Sequence, residues 1–195
     1  DPTPSPEPSD PPYNCHYSAL NFFAREPDEA LIRTAFRDFD SRPDVKGIYV
    51  TINPIDPARL GSREVMNEAR RATSGECASD DDILHRWSFY IDCDPERSSN
   101  TSASDDEHAA ALDRAIEVEA YLESMGFSEA QLHDSGNGAH LFYRTDLPGD
   151  GASAELLSNF LKALSHKFSD HRVSVDVSVY NASRIAKLAG TLTRK

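Results

Sequence analysis

The sequence predicts a mixed protein of class α+β, with an α/β layer in which helices cover one face of a β-sheet. Three observations predict it. Strand patterns alternate with amphipathic helix patterns from residue 87 onward. All three predicted strands in this part of the chain alternate apolar and polar residues, as half-buried strands do. Of the 195 residues, 38% are hydrophobic and 27% are charged, which is the balance of a globular protein with a buried core.

The first half of the chain contains weaker signals. The Pro-rich stretch "DPTPSPEPSDPP", residues 1–12, lacks apolar residues and predicts an extended linker or tail. A helix is predicted over 27–39, because Ile32, Phe36 and Phe39 recur at helical spacing, and "GIYVTI" at 47–52 predicts a strand. Residues 54–85 combine a helix-like stretch, "SREVMNEARRA", with loop signals.

The second half predicts five elements in order. "WSFYIDCD" at 87–94 is a strand, and a helix follows over 104–126, with a capping box from Ser104 to Glu107 and Gly126 as its end. "GAHLFY" at 138–143 is a second strand. A helix over 153–168 carries a leucine stripe, and "RVSVDVSVY" at 172–180 is a third strand.

Polar side chains of the three strands fall on one common face. The apolar faces pack under the helices, so the opposite, open face carries the acids Asp92, Asp94 and Asp176 together with His140. Neighbouring strands are about 4.8 Å apart, which brings the three carboxylates within reach of shared cations. Parallel carboxylates repel, so a divalent cation, a basic side chain or water must compensate them.

Three carboxylates are hard oxygen ligands that suit Mg²⁺ or Mn²⁺ rather than zinc. Three acids around a pair of such cations match metal-assisted phosphoryl or nucleotidyl transfer. The alternative is an ordinary polar strand end, since an isolated Asp-x-Asp is common.

The stretch "HDSGNGAHLFY" at 133–143 predicts a tight turn that enters a strand. Gly136 and Gly138 allow positive φ, and the backbone around Asn137 and Gly138 could approach an anion. Ser135 and His140 could contact the same phosphate. The turn lacks the third glycine of a dinucleotide fingerprint, and no P-loop motif occurs. A plain hairpin turn is the alternative, and His133 is read as an exposed turn residue.

The stretch "NASRIAKLAGT" at 181–191 places Arg184 and Lys187 at helical i, i+3 spacing, hence on one side. Beside an acidic metal centre, such a pair could hold a nucleotide triphosphate. Two solvated surface charges are the alternative.

Composition narrows the classes of partner. The net charge of −13 argues against a protein that coats nucleic acid through bulk electrostatics, and no apolar run is long enough to span a membrane. The chain has three cysteines at wide spacing, which we interpret as reduced thiols of a cytoplasmic protein.

In this order, "FYIDCDPER", "DSGNGAHLFY" and "VDVSVYNASRIAKLAGTLTRK" resemble the archaeo-eukaryotic primase superfamily, in its bacterial primase-polymerase branch. That branch includes replication proteins of plasmids and phages and proteins associated with CRISPR loci. The resemblance spans most of residues 45–195.

The resemblance implies a catalytic core over 13–195, with a small αβ module at about 13–85, an RRM-like module at about 86–195 and the active site in the cleft between them. It implies that Asp92, Asp94 and Asp176 are catalytic ligands of Mn²⁺ or Mg²⁺. It further implies a nucleotide-binding set: Ser135, Asn137, Gly138, His140, Arg184 and Lys187.

The activity implied is template-directed synthesis from nucleoside triphosphates on a single-stranded DNA or RNA template with a primer. Two rival readings stay open: a metal-dependent nuclease or phosphoesterase, and a non-catalytic RRM-like module that stacks single strands on Tyr90, Phe142 and Tyr180. The abrupt ends of the sequence suggest a part of a longer chain with additional domains.

Overall fold

The computed structural model describes residues 20–21, 29–60, 70–71, 77–98 and 101–193. The strands in these ranges are β1 Leu20–Asn21, β2 Tyr49–Thr51, β3 Arg70–Arg71, β4 His85–Pro95, β5 Gln131–Asp134, β6 Ala139–Pro148, β7 Val173–Val175 and β8 Ile185–Lys187. The helices are α1 Glu29–Ser41, α2 Pro57–Leu60, α3 Asp105–Ser124 and α4 Gly151–Phe168. The Pro-rich stretch 1–12 lies outside the described residues, and of the helix-like stretch 62–72 only β3 is described, as a strand.

A four-stranded antiparallel sheet is the centre of the fold, with strand order β5-β6-β4-β7. Its chain order is β4, α3, β5, β6, α4, β7, so each helix connects two strands that are separated in the sheet by a third. This is the split βαβ arrangement of α+β proteins. The mixed α and β class is therefore confirmed, while β5 was not predicted as a strand.

The core lies between this sheet and the two long helices. The alternation predicted for β4 and β6 is confirmed, because Ile91, Cys93 and Leu141 are buried on the helix side of the sheet. Helix α3 contributes Ala115 and Leu122 to the same cluster, and the predicted leucine stripe of α4 is buried there as well. This packing leaves the polar residues of the strands on the opposite face.

The predicted signals at the ends of α3 are confirmed. Ser104 is the N-cap, its Oγ accepts from the Glu107 amide at 3.4 Å, and its own amide donates to Glu107 Oε2 at 2.8 Å. After the helix, Gly126 has a φ of 93°, a conformation that favours glycine. Helix α4 begins slightly earlier than predicted, because Asp150 caps it by accepting from the Ser153 amide.

Trp87 departs from the predicted pattern. The pairing of β4 with β6 shifts register between Arg86 and Ser88, which marks a bulge at Trp87. As a result Trp87 is half exposed while Arg86 is buried. The strict alternation predicted from Trp87 onward therefore holds only from Ser88.

The third predicted strand, 172–180, is much shorter in the structure. β7 ends at Val175, and a turn follows over 177–180. Asp176 initiates this turn, because its Oδ1 accepts from the Ser178 amide at 2.7 Å. Val177 is consequently exposed, although the period-2 pattern continues through it.

The helical spacing predicted for Arg184 and Lys187 is wrong. Residues 185–187 form β8, which pairs antiparallel with β2, with Val50 opposite Ala186. Buried Asn53 reinforces this connection: its Nδ2 donates to the Ala182 carbonyl at 3.1 Å, and its Oδ1 accepts from the Ser88 amide at 2.9 Å. The N-terminal part of the chain is thereby joined both to β8 and to the edge of β4.

The structure also bears on the state of the cysteines and on membrane-spanning helices, for which the composition gave expectations. Cys93 is free and buried, but Cys77 is disulfide-bonded, which corrects the expectation of three reduced thiols. A disulfide is unusual in the cytoplasm, and the cytoplasmic location stays a prediction. In the ranges described, no helix combines the length and the apolar character needed to cross a membrane.

Candidate functional site: an acidic cluster at the end of the central sheet

The three predicted acids lie together near the C-terminal end of β4, two of them in that strand and the third directly after β7. Asp92 and Asp94 are on the polar face of β4, and β7 pairs beside them, with Ser174 opposite Asp94. The Asp176 amide donates to the Asp92 carbonyl at 2.9 Å, so the third acid directly follows the last ladder contact. The sequence pattern therefore identified residues that the fold brings to one place.

The clustering has an electrostatic consequence for Asp92. Its pKa is raised well above the ordinary aspartate value, first because the carboxyl is buried and then because Asp94 and Asp176 are negatively charged neighbours. A buried carboxylate beside two others is unstable unless a cation or a proton neutralises it. The site thus favours the uptake of positive charge.

Each of the three acids has a basic side chain as a neighbour, and the two arginines among these compensate part of the acids' negative charge. His140 Nε2 lies 3.4 Å from Asp92 Oδ1, and Arg97 Nη1 lies 3.7 Å from Asp94 Oδ1. The Nη2 atom of Arg184 lies 3.8 Å from Asp176 Oδ2. All three separations exceed the length of a strong charge-assisted hydrogen bond, so the basic groups face the acids without binding them tightly.

The contact between His140 and Asp92 is not an ion pair. The pKa of His140 is lowered to about 4, mainly by burial and further by His133 and Arg184, so the imidazole is neutral at pH 7. Asp92 Oδ1 and His140 Nδ1 are both buried, and neither has a hydrogen-bond partner within the described part of the chain. An unsatisfied carboxylate oxygen in this position is available to a ligand.

The polar face of the sheet is not open, contrary to expectation. Tyr90 is 2% exposed, Asp92 8% and His140 6%. Arg184, just before β8, reaches over this face and its Nε donates to the Tyr90 hydroxyl at 3.2 Å. The acids therefore lie in a partly closed site, of which Asp94 and Asp176 form the more accessible part.

The predicted turn at 135–138 joins β5 and β6 as a hairpin. The Ser135 amide donates to the Gly138 carbonyl, and the Gly138 amide donates back to Ser135 Oγ, both at 3.0 Å. The Gly136 amide donates to Asp134 Oδ1 at 2.7 Å. These three N–H groups hold the turn itself together, so an anion at this turn would have to compete with its internal hydrogen bonds.

The two glycines of the turn have different roles. Gly136 has a φ of 82°, as predicted, whereas Gly138 does not have a positive φ. A Cβ at Gly138 would lie 2.6 Å from the Cys93 carbonyl oxygen and 2.9 Å from Asp94 Oδ1. Gly138 is therefore needed for the close approach of the turn to the acidic strand.

Two predicted nucleotide-binding residues have structural contacts. Asn137 is buried, and its Oδ1 accepts from the Ala103 amide at 2.9 Å, which ties the turn to the start of α3. Lys187 is also buried, and its ammonium group donates to the carbonyls of Leu188 and Thr191 and to the Thr191 hydroxyl. Of the predicted basic pair, the contacts of Arg184 are in the acidic site, and those of Lys187 are with the segment that follows β8.

Sequence reasoning missed three features of the site. Arg97 is the last residue of the quoted motif "FYIDCDPER" and received no role there, although its position three residues after Asp94 was the available signal. His133 is a strand residue of β5 opposite His140, not an exposed turn residue. The contact of Tyr90 with Arg184 depends on the position of β8 and had no local signal.

The acids fit a divalent cation by ligand type, because carboxylate oxygens are what Mg²⁺ and Mn²⁺ prefer. Within the described ranges, however, no group of three or more His, Cys, Asp or Glu side chains is already arranged in metal-binding geometry. Binding would therefore require these side chains to adopt other rotamers. Compared with family models, curated proteins and solved structures, the chain has no significant match.

Proposed function

We propose that this chain is a template-directed nucleotidyltransferase, a primase-polymerase of the archaeo-eukaryotic type, that adds nucleoside triphosphates to a primer or starts one. The observation that carries the proposal is the position of Asp92, Asp94 and Asp176 beside one another at the end of a split βαβ sheet. The sheet has the strand number of RRM-like modules, which supports the resemblance found in the sequence.

The proposed cofactor is a pair of Mn²⁺ or Mg²⁺ ions held by the three acids. Burial and like charge raise the pKa of Asp92, and its Oδ1 has no protein partner in the described part of the chain. When bound, such ions activate the attacking hydroxyl and neutralise the leaving pyrophosphate. The cost of gathering three carboxylates is then offset by the charge of the ions.

The residues around the acids would supply the remaining chemistry. Arg184 carries a permanent charge beside Asp176, where it would bind a phosphate group of the incoming nucleotide. His140 is neutral at pH 7 and would contribute a hydrogen bond rather than a charge. The Nη1 atom of Arg97 lies 3.7 Å from Asp94 Oδ1, and Arg97 would add positive charge there.

The structure bears on the two rival readings in different ways. A non-catalytic module that stacks bases on the sheet needs accessible rings, but Tyr90 is buried and Phe142 is partly buried. Tyr180 is exposed, but it lies in the turn after β7 and not in a strand of the sheet, so this alternative loses support. A metal-dependent nuclease would use the same acids with water as the nucleophile. Only the product of the reaction separates that reading from the polymerase.

The test is an extension assay with an end-labelled primer on a single-stranded template, in Mn²⁺ or Mg²⁺, with and without nucleoside triphosphates. Lengthening of the primer that requires nucleoside triphosphates supports the proposal. Shortening without them would establish the nuclease instead. Priming is tested in the same way with template alone and a labelled nucleotide.

The matched variants are Asp92→Asn and Asp176→Asn, each compared with Asp146→Asn. Asp146 is an exposed carboxylate near the far end of β6, where it contacts His85. We expect incorporation to be lost in the first two variants and retained in the third. Full incorporation by Asp92→Asn or Asp176→Asn would refute the assigned roles.

A further inference from the structure

We propose that Tyr90 is a positioning residue, which holds the Arg184 side chain where it binds the triphosphate of the incoming nucleotide. This inference rests on the proposed nucleotidyltransferase function and gives a positioning role to a residue that is neither one of the three acids nor part of the hairpin turn. Tyr90 acts through Arg184 and has no contact with the reacting atoms of its own.

The geometry of Arg184 carries the argument. Its Nε donates to the Tyr90 hydroxyl at 3.2 Å, while its Nη2 lies 3.8 Å from Asp176 Oδ2. A guanidinium group is planar and rigid, so fixing Nε fixes the direction of both Nη groups. The hydrogen bond from Nε to the tyrosine thereby keeps the two Nη groups of Arg184 directed to the acidic cluster.

Tyr90 is itself held firmly. Its ring stacks on Phe142 with centroids 5.3 Å apart, and it meets His140 edge-on at 5.1 Å. The whole side chain is buried, so it has little freedom to move with Arg184. A hydroxyl on such a fixed ring is a rigid anchor for a long, flexible side chain.

The main chain of Arg184 is held from the other side. Its carbonyl accepts from the Ile52 amide at 3.0 Å, close to the pairing of β2 with β8. Its side chain, in contrast, crosses to the central sheet. Without the tyrosine hydroxyl, the backbone of Arg184 would stay in place while its guanidinium group could turn away from Asp176.

The experiment compares Tyr90→Phe with Tyr143→Phe in steady-state incorporation. Tyr143 is the matched control, because it is a buried tyrosine on the opposite face of the same sheet, and its hydroxyl has no hydrogen-bond partner within the described residues. We expect Tyr90→Phe to raise KM for the nucleoside triphosphate roughly tenfold, the effect of one hydrogen bond to a charged group, with a smaller change in kcat. Tyr143→Phe should leave both constants unchanged.

A double-mutant cycle distinguishes positioning from a general effect on structure. In the Arg184→Gln background, Tyr90→Phe should raise KM no further, because the hydroxyl has no guanidinium group left to hold. Equal, additive effects of Tyr90→Phe in both backgrounds would overturn the inference, as would an unchanged KM in the single variant.

Failure of the proposed function is recognised separately. If the unaltered chain incorporates no nucleotide, the same cycle is measured on the free energy of unfolding by urea denaturation. Coupling between Tyr90 and Arg184 would then support the positioning contact while the nucleotidyltransferase proposal fails. Absence of coupling would overturn the contact as well.

Discussion

The amide of Asp176 donates to the carbonyl of Asp92 at 2.9 Å, so the backbone itself places the third acid beside the first. This contact lies immediately beyond the last paired residue of β7, where the chain turns away from the sheet. The side chain of Asp176 is consequently held at the rim of the site, whereas that of Asp92 lies inside it.

Asp92→Asn is expected to stabilise the fold while it removes the proposed activity. The variant carries no ionisable group at this buried position, and at pH 7 we expect an increase in the free energy of unfolding on the order of 1–3 kcal/mol, because burial and two like charges disfavour the carboxylate. Functional sites commonly carry such a cost in stability. Urea denaturation of both proteins measures the difference.

The same comparison has a definite pH dependence. The folded pKa of Asp92 is raised above the value of about 4 expected in the unfolded chain, so the folded state binds more protons above that pH. The unfolding free energy of the unaltered protein should therefore fall as pH rises above about 4, because the folded state gives up the proton on Asp92 less readily than the unfolded chain. The difference in stability between the Asp92→Asn variant and the unaltered protein should be largest near neutral pH and smallest in acid. Equal stability of the two proteins across pH 4.5 to roughly 7.5 would contradict the raised pKa.

Gly138→Ala should be clearly destabilising. Its Cβ would meet the Cys93 carbonyl oxygen and Asp94 Oδ1 at 2.6 and 2.9 Å, and a backbone oxygen cannot move aside cheaply. We expect a loss of about 1–3 kcal/mol in the free energy of unfolding, as for other overpacked sites. Gly151→Ala is the control, because a Cβ there meets nothing within 4 Å, and it should cost nothing.

His140→Ala should mainly weaken nucleotide binding. The imidazole is neutral at pH 7, with its pKa lowered to about 4, so the expected loss is that of a hydrogen bond, roughly tenfold in Kd. Titration of a nucleoside triphosphate in Mn²⁺ measures it, with His108→Ala as the control, since His108 lies on α3 and contacts Asp134. An unchanged Kd would remove His140 from the nucleotide site.

Asn53→Ala tests the connection between the two parts of the chain. The variant leaves the partly buried Ser88 amide and the buried Ala182 carbonyl without their partner, which we expect to cost roughly 2–3 kcal/mol of unfolding free energy. Asn137→Ala should cost less, because the described contact of that side chain is a single hydrogen bond to the Ala103 amide. A smaller effect at Asn53 than at Asn137 would contradict the importance assigned to this bridge.

The sequence predicted the acidic face well because two local periodicities define it. Helix signals such as the Ser104 capping box and strand alternation around Ile91 are encoded by neighbouring residues, and together they decide which side of β4 and β6 is polar. Because Asp92 and His140 are both on the polar side, the sequence also predicts that they lie on the same face of the sheet, where the strands pair them.

The features that could not be predicted depend on contacts between distant residues. The alternation in 172–180 continues past Val175, but the side chain of Asp176 favours a turn over further pairing. Residues 185–187 have no strong local preference for a strand, and their pairing partner Tyr49 is far away in sequence. The bulge at Trp87 likewise depends on the register of β6, which no local pattern records.

The pairing of β2 with β8 has a consequence for synthesis of the chain on the ribosome. Translation proceeds at about 5–20 residues per second, so the edge of β2 stays unpaired for several seconds or more before β8 leaves the ribosome. Contacts of such high sequence separation close slowly and leave the backbone N–H and C=O groups along the edge of β2 unpaired meanwhile. Nascent chains halted before β8 should therefore depend on chaperones to avoid aggregation.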